Sequence, residues 1–269
     1  MNLPALRTNA QVAPWPVVAT LAQRELVRFF RQRNRVFGAL GQPIIFWLLF
    51  SAGLSENRLD YAHFFPGTLV MILLFTAIFA TISIIEDRRE GFLQGVLVAP
   101  IPRWTMVLGK VLGGAAIAML QGLLFLALGW LTTKMGWADI ISTTPLQLIS
   151  AVILMFVIAV ALTALGFTIA WRMDSTQGFH AIMSVFLLPM WLLSGAFFPS
   201  NVQGWLGWIV RLNPLTYGVA GLRHLLQNGI DPATLPPEPW CWFWSLVFAA
   251  VTLAAAWRIA GTRSTGDLL

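Results

Sequence analysis

Few side chains in this sequence could do covalent chemistry, and their spacing matches no common catalytic or metal-binding motif. Gly109-Lys110 is followed by Val111, so the chain lacks the G-x-x-x-x-G-K-[ST] loop that holds nucleotide phosphates. The H-E-x-x-H, G-x-S-x-G and paired-cysteine spacings do not occur, and the chain has one cysteine. We therefore expect no catalysis, no metal site and no cofactor in this chain. The three histidines lie far apart: His63, His180 and His224.

The composition is that of an integral membrane protein. Of the 269 residues, 58% are hydrophobic and 10% are charged, and the mean hydropathy is +0.75. Soluble domains contain about 25% charged residues, so a soluble enzyme is excluded. The net charge of +6 favours anionic lipid headgroups as partners, and nucleic-acid binding is not expected.

Uncharged runs predict six transmembrane helices, because each span needs about 20 apolar residues. No carboxylate lies in the body of a predicted span, which argues against a proton- or ion-coupled carrier. The fold class is therefore an all-α integral membrane protein. The predicted spans are 36–54, 64–85, 108–132, 147–171, 177–198 and 239–258.

The distribution of basic residues orients these spans. With both termini inside, thirteen lysines and arginines lie on the cytoplasmic side and four on the outside. The first 35 residues contain six arginines and no apolar signal-peptide core. We expect a cytoplasmic N-terminal segment (1–35), a transmembrane domain (36–260) and a cytoplasmic tail (261–269).

A basic amphipathic helix is predicted over residues 17–35, before the first span. Four arginines fall on one narrow arc, and apolar residues collect opposite, although Glu25 and Arg33 intrude on the apolar face. Such a helix lies in the inner headgroup plane, with its arginines toward the phosphates and the cytosol. It is either a membrane anchor alone or also a contact for a cytosolic partner. The four arginines are Arg24, Arg28, Arg31 and Arg35.

The loop after the second span, residues 86–104, is the largest cytoplasmic segment between spans. A charged stretch, Glu86–Glu90, runs into a short apolar helix that Pro100 and Pro102 stop. A solvated turn would need neither the apolar part nor the length. We interpret the segment as a docking surface, with an interfacial loop as the alternative.

Residues 199–230 predict two short helices joined at Asn213, which is a helix N-cap followed by Pro214 at the first helical position. Stretches 202–211 and 214–227 would rise only about 15–21 Å as helices, short of the roughly 30 Å hydrocarbon core. We expect a re-entrant hairpin in the outer leaflet. Its marker residues are Pro199, Asn213, Pro214 and Tyr217.

In the order and spacing of these segments the sequence resembles the permease subunits of the ABC-2 family, which export drugs, polysaccharides and lipid-linked molecules. The resemblance covers nearly the whole chain. The matching stretches are Glu90–Gln94, Pro100–Arg103, Gly109-Lys110, Phe198-Pro199 and Asn213–Tyr217.

That resemblance implies a transporter of two permease chains, expected to be a homodimer, and two cytosolic ATPase subunits that bind ATP and Mg²⁺. It implies export of an amphipathic, lipid-linked or hydrophobic substrate across the inner membrane of a prokaryote. Residues 87–99 would be the coupling helix, and the helix at 17–35 would cradle the same ATPase. The candidate coupling residues are Arg88, Arg89, Glu90, Phe92, Leu93 and Gln94.

Among the coupling residues, the charged ones would set the docking register and the apolar Phe92 and Leu93 would fill a groove of the ATPase. Spans one, two and five would line the pathway, where aromatic rings could stack on a sugar or an apolar drug. The simpler interpretation is that these aromatic side chains pack between helices or face lipid. The pathway candidates are Phe46, Trp47, Trp191 and Phe197.

Two other function classes stay open from the sequence. An ATP-independent secondary carrier or channel would explain the spans but not the apolar cytoplasmic helix. A membrane-embedded lipid-modifying enzyme would need a polar catalytic cluster, and the cluster at 86–90 has no histidine or serine partner close in sequence. Drug, lipid and glycan remain alternative substrates.

Overall fold

The computed structural model describes residues 13–53, 61–197, 204–228 and 235–261, and for residues 33–40 it describes the backbone alone. Regular structure in these ranges is helical, with no strand among them. The helices are α1 (Pro14–Arg31), α2 (Arg33–Gly53), α3 (Tyr61–Ala80), α4 (Ile82–Arg89), α5 (Phe92–Val98), α6 (Arg103–Lys134), α7 (Pro145–Ala170), α8 (Thr176–Trp191), a π-helical turn (Leu192–Ala196), α9 (Trp205–Leu212), α10 (Pro214–Leu226) and α11 (Glu238–Gly261).

Five helices are long and apolar enough to cross a membrane. They are the α3–α4 unit (Tyr61–Arg89), α6, α7, α8 with the π turn (Thr176–Ala196), and α11. These correspond to the second to sixth predicted spans. Helix α2 covers the first predicted span, but its described apolar part, Gly41–Gly53, is shorter than a membrane crossing requires. The count of six spans therefore stays a prediction.

Helix α3 is the centre of the bundle. Of its most apolar stretch 83% is buried, against 28% for α11 at the periphery. Small residues let neighbouring helices approach it closely: a Cβ added at Gly129 would lie 2.4 Å from the Phe65 ring, and one at Gly122 would lie 2.9 Å from the Leu73 side chain. The hydropathy of α3 on all faces thus reflects burial within the protein as well as contact with lipid.

Helix α1 packs along α6 on two glycines. A Cβ at Gly109 would lie 2.8 Å from the Cβ of Leu21, and one at Gly113 would lie 2.8 Å from the Cβ of Glu25. The contact buries one stripe of α1 at helical spacing. Glu25, which was expected only to interrupt the apolar face, lies in that buried stripe. The buried residues of α1 are Val18, Leu21, Glu25 and Phe29.

Local signals fix several helix ends. Thr144 and Gln147 form a capping box at the start of α7. The predicted fifth span contains Pro189, and its regular α-helix ends at Trp191 in the π-helical turn, where Gly195 has a φ of +80°. Such a turn leaves backbone carbonyls without their usual helical partners. One of them, the Gly195 carbonyl, accepts a hydrogen bond from Arg223 of α10.

Candidate functional site

A cluster of ion pairs, here called the charge cluster (Arg24, Glu25, Arg28, Glu86, Asp87, Glu90 and Lys110), lies at the predicted cytoplasmic end of the bundle. Asp87, near the end of α4, is its centre and is fully buried. Its carboxylate accepts two hydrogen bonds from Arg24, at 2.9 and 2.7 Å, and one from Arg28, at 2.8 Å. Arg28 also pairs with Glu86 at 2.8 Å. One carboxylate on α4 therefore holds two arginines of α1.

Lys110 brings α6 into the same cluster. Its ammonium is almost fully buried and donates to Asp87, to Glu25 Oε1 at 2.5 Å and to the Ser83 hydroxyl at 3.3 Å. A buried ammonium is tolerated only when it is paired and hydrogen-bonded. The cluster meets that condition and joins three helices, α1, α4 and α6, which lie far apart in sequence.

The arginines of α1 differ from the sequence prediction in where they point. Arg24 and Arg28 are half-buried against Asp87 rather than directed at lipid phosphates. The hydrogen bond to Asp87 raises the pKa of Arg24. Arg31 is exposed. The predicted bounds 17–35 are wrong at the C-terminal end, because Gln32 has non-helical backbone angles and Arg35 belongs to α2. The Arg35 side chain lies outside the described residues. The prediction was wrong for two arginines because their carboxylate partner is on another helix.

The predicted coupling segment is a sharp turn followed by the seven-residue helix α5. Gly91 has a φ of +77°, a conformation that favours glycine, and it reverses the chain between α4 and α5. The Arg24 guanidinium lies 3.8 Å from the centroid of the Phe92 ring. Leu93 is 3% exposed and belongs to the core of this chain. In this structure these two apolar residues attach α5 to its own subunit.

Arg88 attaches the same segment to the connection between α7 and α8. Its guanidinium donates to the carbonyl oxygens of Trp171 at 2.5 Å and Met173 at 3.3 Å, and to the Asp174 carboxylate at 3.1 Å. Gln94 donates to the carbonyl oxygen of Arg88 at 3.5 Å. Sequence reasoning missed this contact, because nothing in the local pattern of 171–174 distinguishes it from an ordinary turn.

Three side chains of the coupling segment remain accessible. Arg89 and Glu90 are exposed, and Val98 is 77% exposed. Arg89 uses one nitrogen, Nε, to donate to the Asp174 carbonyl at 3.0 Å. Glu90 makes one long contact of 3.4 Å to Arg28. The surface open to a partner is therefore a charged turn with one apolar residue at its far end.

The four aromatic pathway candidates pack within the helix bundle. The buried Trp47 donates from Nε1 to the Tyr61 carbonyl at 3.0 Å, and the buried Trp191 donates to the Gly67 carbonyl at 2.7 Å. Phe197 lies 5.2 Å from Trp191 between ring centroids. Phe46 contacts only the neighbouring Phe50 ring among described aromatic pairs, at 5.7 Å. Both tryptophans have the satisfied N–H groups of packing residues.

The helix pair α9–α10, which the sequence predicts as an outer hairpin, has the predicted N-cap. The Asn213 Oδ1 accepts the Leu215 N–H at 3.1 Å, and Pro214 occupies the first turn of α10. Asn213 Nδ2 also donates to the Met190 carbonyl at 2.6 Å, and Tyr217 closes the hairpin by donating to the Arg211 carbonyl at 3.0 Å. Pro199 lies outside the described residues.

Arg223 in α10 is a buried cation at the predicted outer end of the bundle. Its Nη2 donates to the carbonyl oxygens of His63, at 3.1 Å, and Gly195, at 3.5 Å. The first acceptor lies in the first turn of α3, and the second belongs to the π-helical turn. Within the described ranges Arg223 forms no ion pair, so its charge is stabilised by peptide dipoles.

The described residues hold no group of three histidine, cysteine or carboxylate side chains placed to bind a metal ion. The charge cluster itself is a set of hydrogen-bonded ion pairs in which the carboxylates face cations. The role that this arrangement supports is structural: the ion pairs fix the positions of α1, α4 and α6 relative to one another.

Comparison with known proteins adds family information to this geometry. The profile described as ABC-2 type transporter matches residues 16–226. The chain is 25% identical to ycf38 of Cyanophora paradoxa, named a transport permease, over 77% of this chain and 73% of that protein. It is 26% identical to YbhR of Escherichia coli K12, named a probable multidrug ABC transporter permease, over 74% and 52%. DrrC of Mycobacterium tuberculosis H37Rv, named a probable doxorubicin resistance permease, is 25% identical over 92% and 91%.

Proposed function

The chain belongs to the ABC-2 type transporter family of multi-pass membrane proteins, and from this premise we propose that it is the permease of an exporter driven by ATP hydrolysis on a separate subunit. ATP and Mg²⁺ would be bound by that ATPase, and this chain would bind neither. Two copies of each subunit, with identical permeases, would form the transporter. The substrate would move outward from the cytoplasmic side.

The proposed topology has six spans, with α2 as the first and both termini in the cytoplasm of a prokaryote. Helix α1 would lie in the inner headgroup plane. Its exposed residues suit that position, because Trp15, Val27 and Phe30 are 67%, 46% and 53% exposed and could enter the apolar edge of the leaflet. Between the fifth and sixth spans, α9 and α10 would dip into the outer leaflet and return.

The observation that carries the mechanism is the attachment of the coupling segment to α1 and α6 through Asp87. ATP binding would draw two ATPase subunits together, and the permease must receive this as a displacement. A segment held by buried ion pairs moves with the helices that hold it, whereas a solvated loop would bend. The charge cluster would therefore transmit motion from α5 to α1, α4 and α6 together.

The docking surface would consist of Arg89, Glu90 and the apolar end of α5. Arg88, Phe92, Leu93 and Gln94 would act from inside, by holding this surface in place. The contact from Arg88 to the 171–174 connection would pass the same displacement to the start of α8. In this way the helix that contains the π turn would respond to the ATPase.

The proposed substrate is an amphipathic or hydrophobic molecule, and the names of two relatives support this proposal. YbhR and DrrC are named for multidrug and doxorubicin resistance, which favours an amphipathic drug over a long polysaccharide. A lipid-linked cargo is consistent with the same apolar spans. The outer hairpin would cap the exit from the bundle.

The test is purification of the tagged chain from its host in mild detergent. We expect a Walker-motif ATPase to accompany the wild-type protein, and Arg89→Glu to lower its yield about tenfold by reversing a charge at the docking surface. Arg211→Glu is the matched control, because Arg211 is exposed on α9 at the opposite end and would leave the association intact. A chain that runs alone and transports without ATP would instead be a carrier or channel.

A further inference from the structure

We infer that a cavity between α1, α2, α3 and α8 binds the positively charged end of an amphipathic substrate. The cavity has a volume of about 240 Å³ and is lined by Glu25, Phe29, Phe75, Thr76, Phe79 and His180, among others. Its position beside the charge cluster places it near the inner membrane surface in the proposed topology. This inference rests on the proposed function, since it names the substrate class of that transporter.

One wall of the cavity is acidic. Glu25 is 4% exposed, and within the described chain its hydrogen bond and ion pairs all use Oε1: Lys110 at 2.5 Å and Arg24 at 3.6 Å. Oε2 is therefore available to a second cation. The other surplus carboxylate of the charge cluster, Glu90, is exposed and does not line the cavity. The acidic group that the cavity presents is therefore Glu25, through Oε2.

The basic residue on the wall does not reverse this sign. Arg28 lines the cavity, but its guanidinium is shared among Asp87 at 2.8 Å, Glu86 at 2.8 Å and Glu90 at 3.4 Å. A guanidinium already paired with carboxylates has little capacity left for an anionic ligand. The electrostatic preference of the cavity is therefore for a cation.

The opposite wall is aromatic. The Phe75 and Phe79 rings are 5.8 Å apart, and Phe79 lies 5.0 Å from the His180 ring. Ring faces attract ammonium and aromatic cations, more strongly when water is excluded. Thr76 also lines the cavity, and its hydroxyl donates to Gln121 Oε1 at 2.7 Å. Aromatic rings and a carboxylate in one cavity are the groups that recognise an aromatic amine or an alkylammonium ion.

The size of the cavity limits what it can hold. Sites that enclose a drug-sized molecule are about 300–1,000 Å³, so this cavity would take only the charged end. His180 is exposed, so the cavity reaches the protein surface at that residue. The apolar body of the substrate would extend from there into the inner leaflet. The occupant is thus an amphiphile with a cationic end.

The experiment is a binding titration on the permease alone at pH 7.5 in dodecyl maltoside micelles, whose headgroup carries no charge. The probe is ethidium, an aromatic cation, followed by fluorescence anisotropy, and the control probe is the anion 8-anilinonaphthalene-1-sulfonate. Two variants change charge at one exposed position: His180→Glu should tighten ethidium binding about fivefold, and His180→Lys should weaken it about fivefold. The affinity for the anionic probe should not rise in His180→Glu and fall in His180→Lys.

A structural disturbance at position 180 would move both variants in the same direction, and that result, or no change in either, would overturn the inference. Glu25→Gln should weaken ethidium binding by at least the same factor; if that variant fails to fold, the His180 pair still decides. If phosphatidylethanolamine competes with ethidium, the occupant is a lipid ammonium group. If it does not compete, the occupant is a soluble amphiphile. Because the titration uses neither ATP nor the ATPase, its failure would leave the proposed coupling intact.

Discussion

The two ends of the bundle stabilise a buried cation in different ways. At the predicted cytoplasmic end, Lys110 is held by carboxylates on α1 and α4. At the outer end, Arg223 is held by two backbone carbonyls, from the start of α3 and from the π turn. Carboxylate pairs bind helices through side chains that a single substitution can remove, whereas carbonyls persist whatever the sequence. The difference indicates that the cytoplasmic end depends on specific charges and the outer end on backbone geometry.

Removing Lys110, the buried cation of the predicted cytoplasmic end, should have the largest effect on the free energy of unfolding. Lys110→Met leaves Glu25 without its close partner and Asp87 with the arginines alone, in a site where an uncompensated buried charge costs about 3–5 kcal/mol. We expect a loss of that size in the free energy of unfolding, measured by denaturant titration in detergent. Wild-type stability in this variant would show that the charge cluster does not hold the helices together.

Removing Arg223, the buried cation of the predicted outer end, should lower the free energy of unfolding by less. Arg223→Met breaks one hydrogen bond of ordinary length, to the His63 carbonyl at 3.1 Å, and one at the 3.5 Å limit, to Gly195. One buried acceptor left unpaired costs about 1–3 kcal/mol, and no charge of opposite sign is stranded. The same denaturant titration measures it. A loss equal to that of Lys110→Met would contradict the distinction between the two ends.

Separating α1 from α6 should weaken the cytoplasmic end without touching a charge. An added methyl at Gly113 would lie 2.8 Å from the Glu25 Cβ, and overpacking of this kind costs about 1–3 kcal/mol. We expect Gly113→Ala to fall at the low end of that range in thermal unfolding. Gly41→Ala in α2 is the control, since its methyl meets nothing within 4 Å; equal effects in both variants would argue against close α1–α6 packing.

The smallest effect should come from the exposed arginine of α1. Arg31→Ala removes a side chain at the surface, where substitutions usually change stability by less than about 0.5 kcal/mol. Arg24→Ala, which removes two hydrogen bonds to Asp87, should cost about 1.5–3 kcal/mol. Similar unfolding midpoints for the two variants would mean that the arginines of α1 all act as surface charges.

Local patterns predicted most of the long helices and some of their ends, but not the break at Gln32 between α1 and α2. Gaps between charges predicted the spans, and the order of Asn213 and Pro214 predicted the N-cap of α10, which the structure confirms. These features depend on neighbours within a few residues, so the sequence contains the information directly.

Contacts between distant helices could not be read in this way. Arg24 and Asp87 are 63 residues apart, and Lys110 and Glu25 are 85 apart, so their pairing requires the relative position of three helices. One signal was present: Gly109 and Gly113 flank Lys110 at the spacing of a close helix contact. It indicated that another helix would approach Lys110, but not that this helix would be α1.

The central claim is that α1 and the coupling segment move as one body when the ATPase binds nucleotide. The most direct test is a spin-label distance between positions 20 and 95, both exposed, in the assembled transporter with Cys241 replaced by serine. The account predicts that the distance between the two labels is the same with and without ATP, while the distance from position 95 to position 208 on α9 changes. A distance between positions 20 and 95 that shifts or broadens on addition of ATP would show that the charge cluster does not transmit the motion.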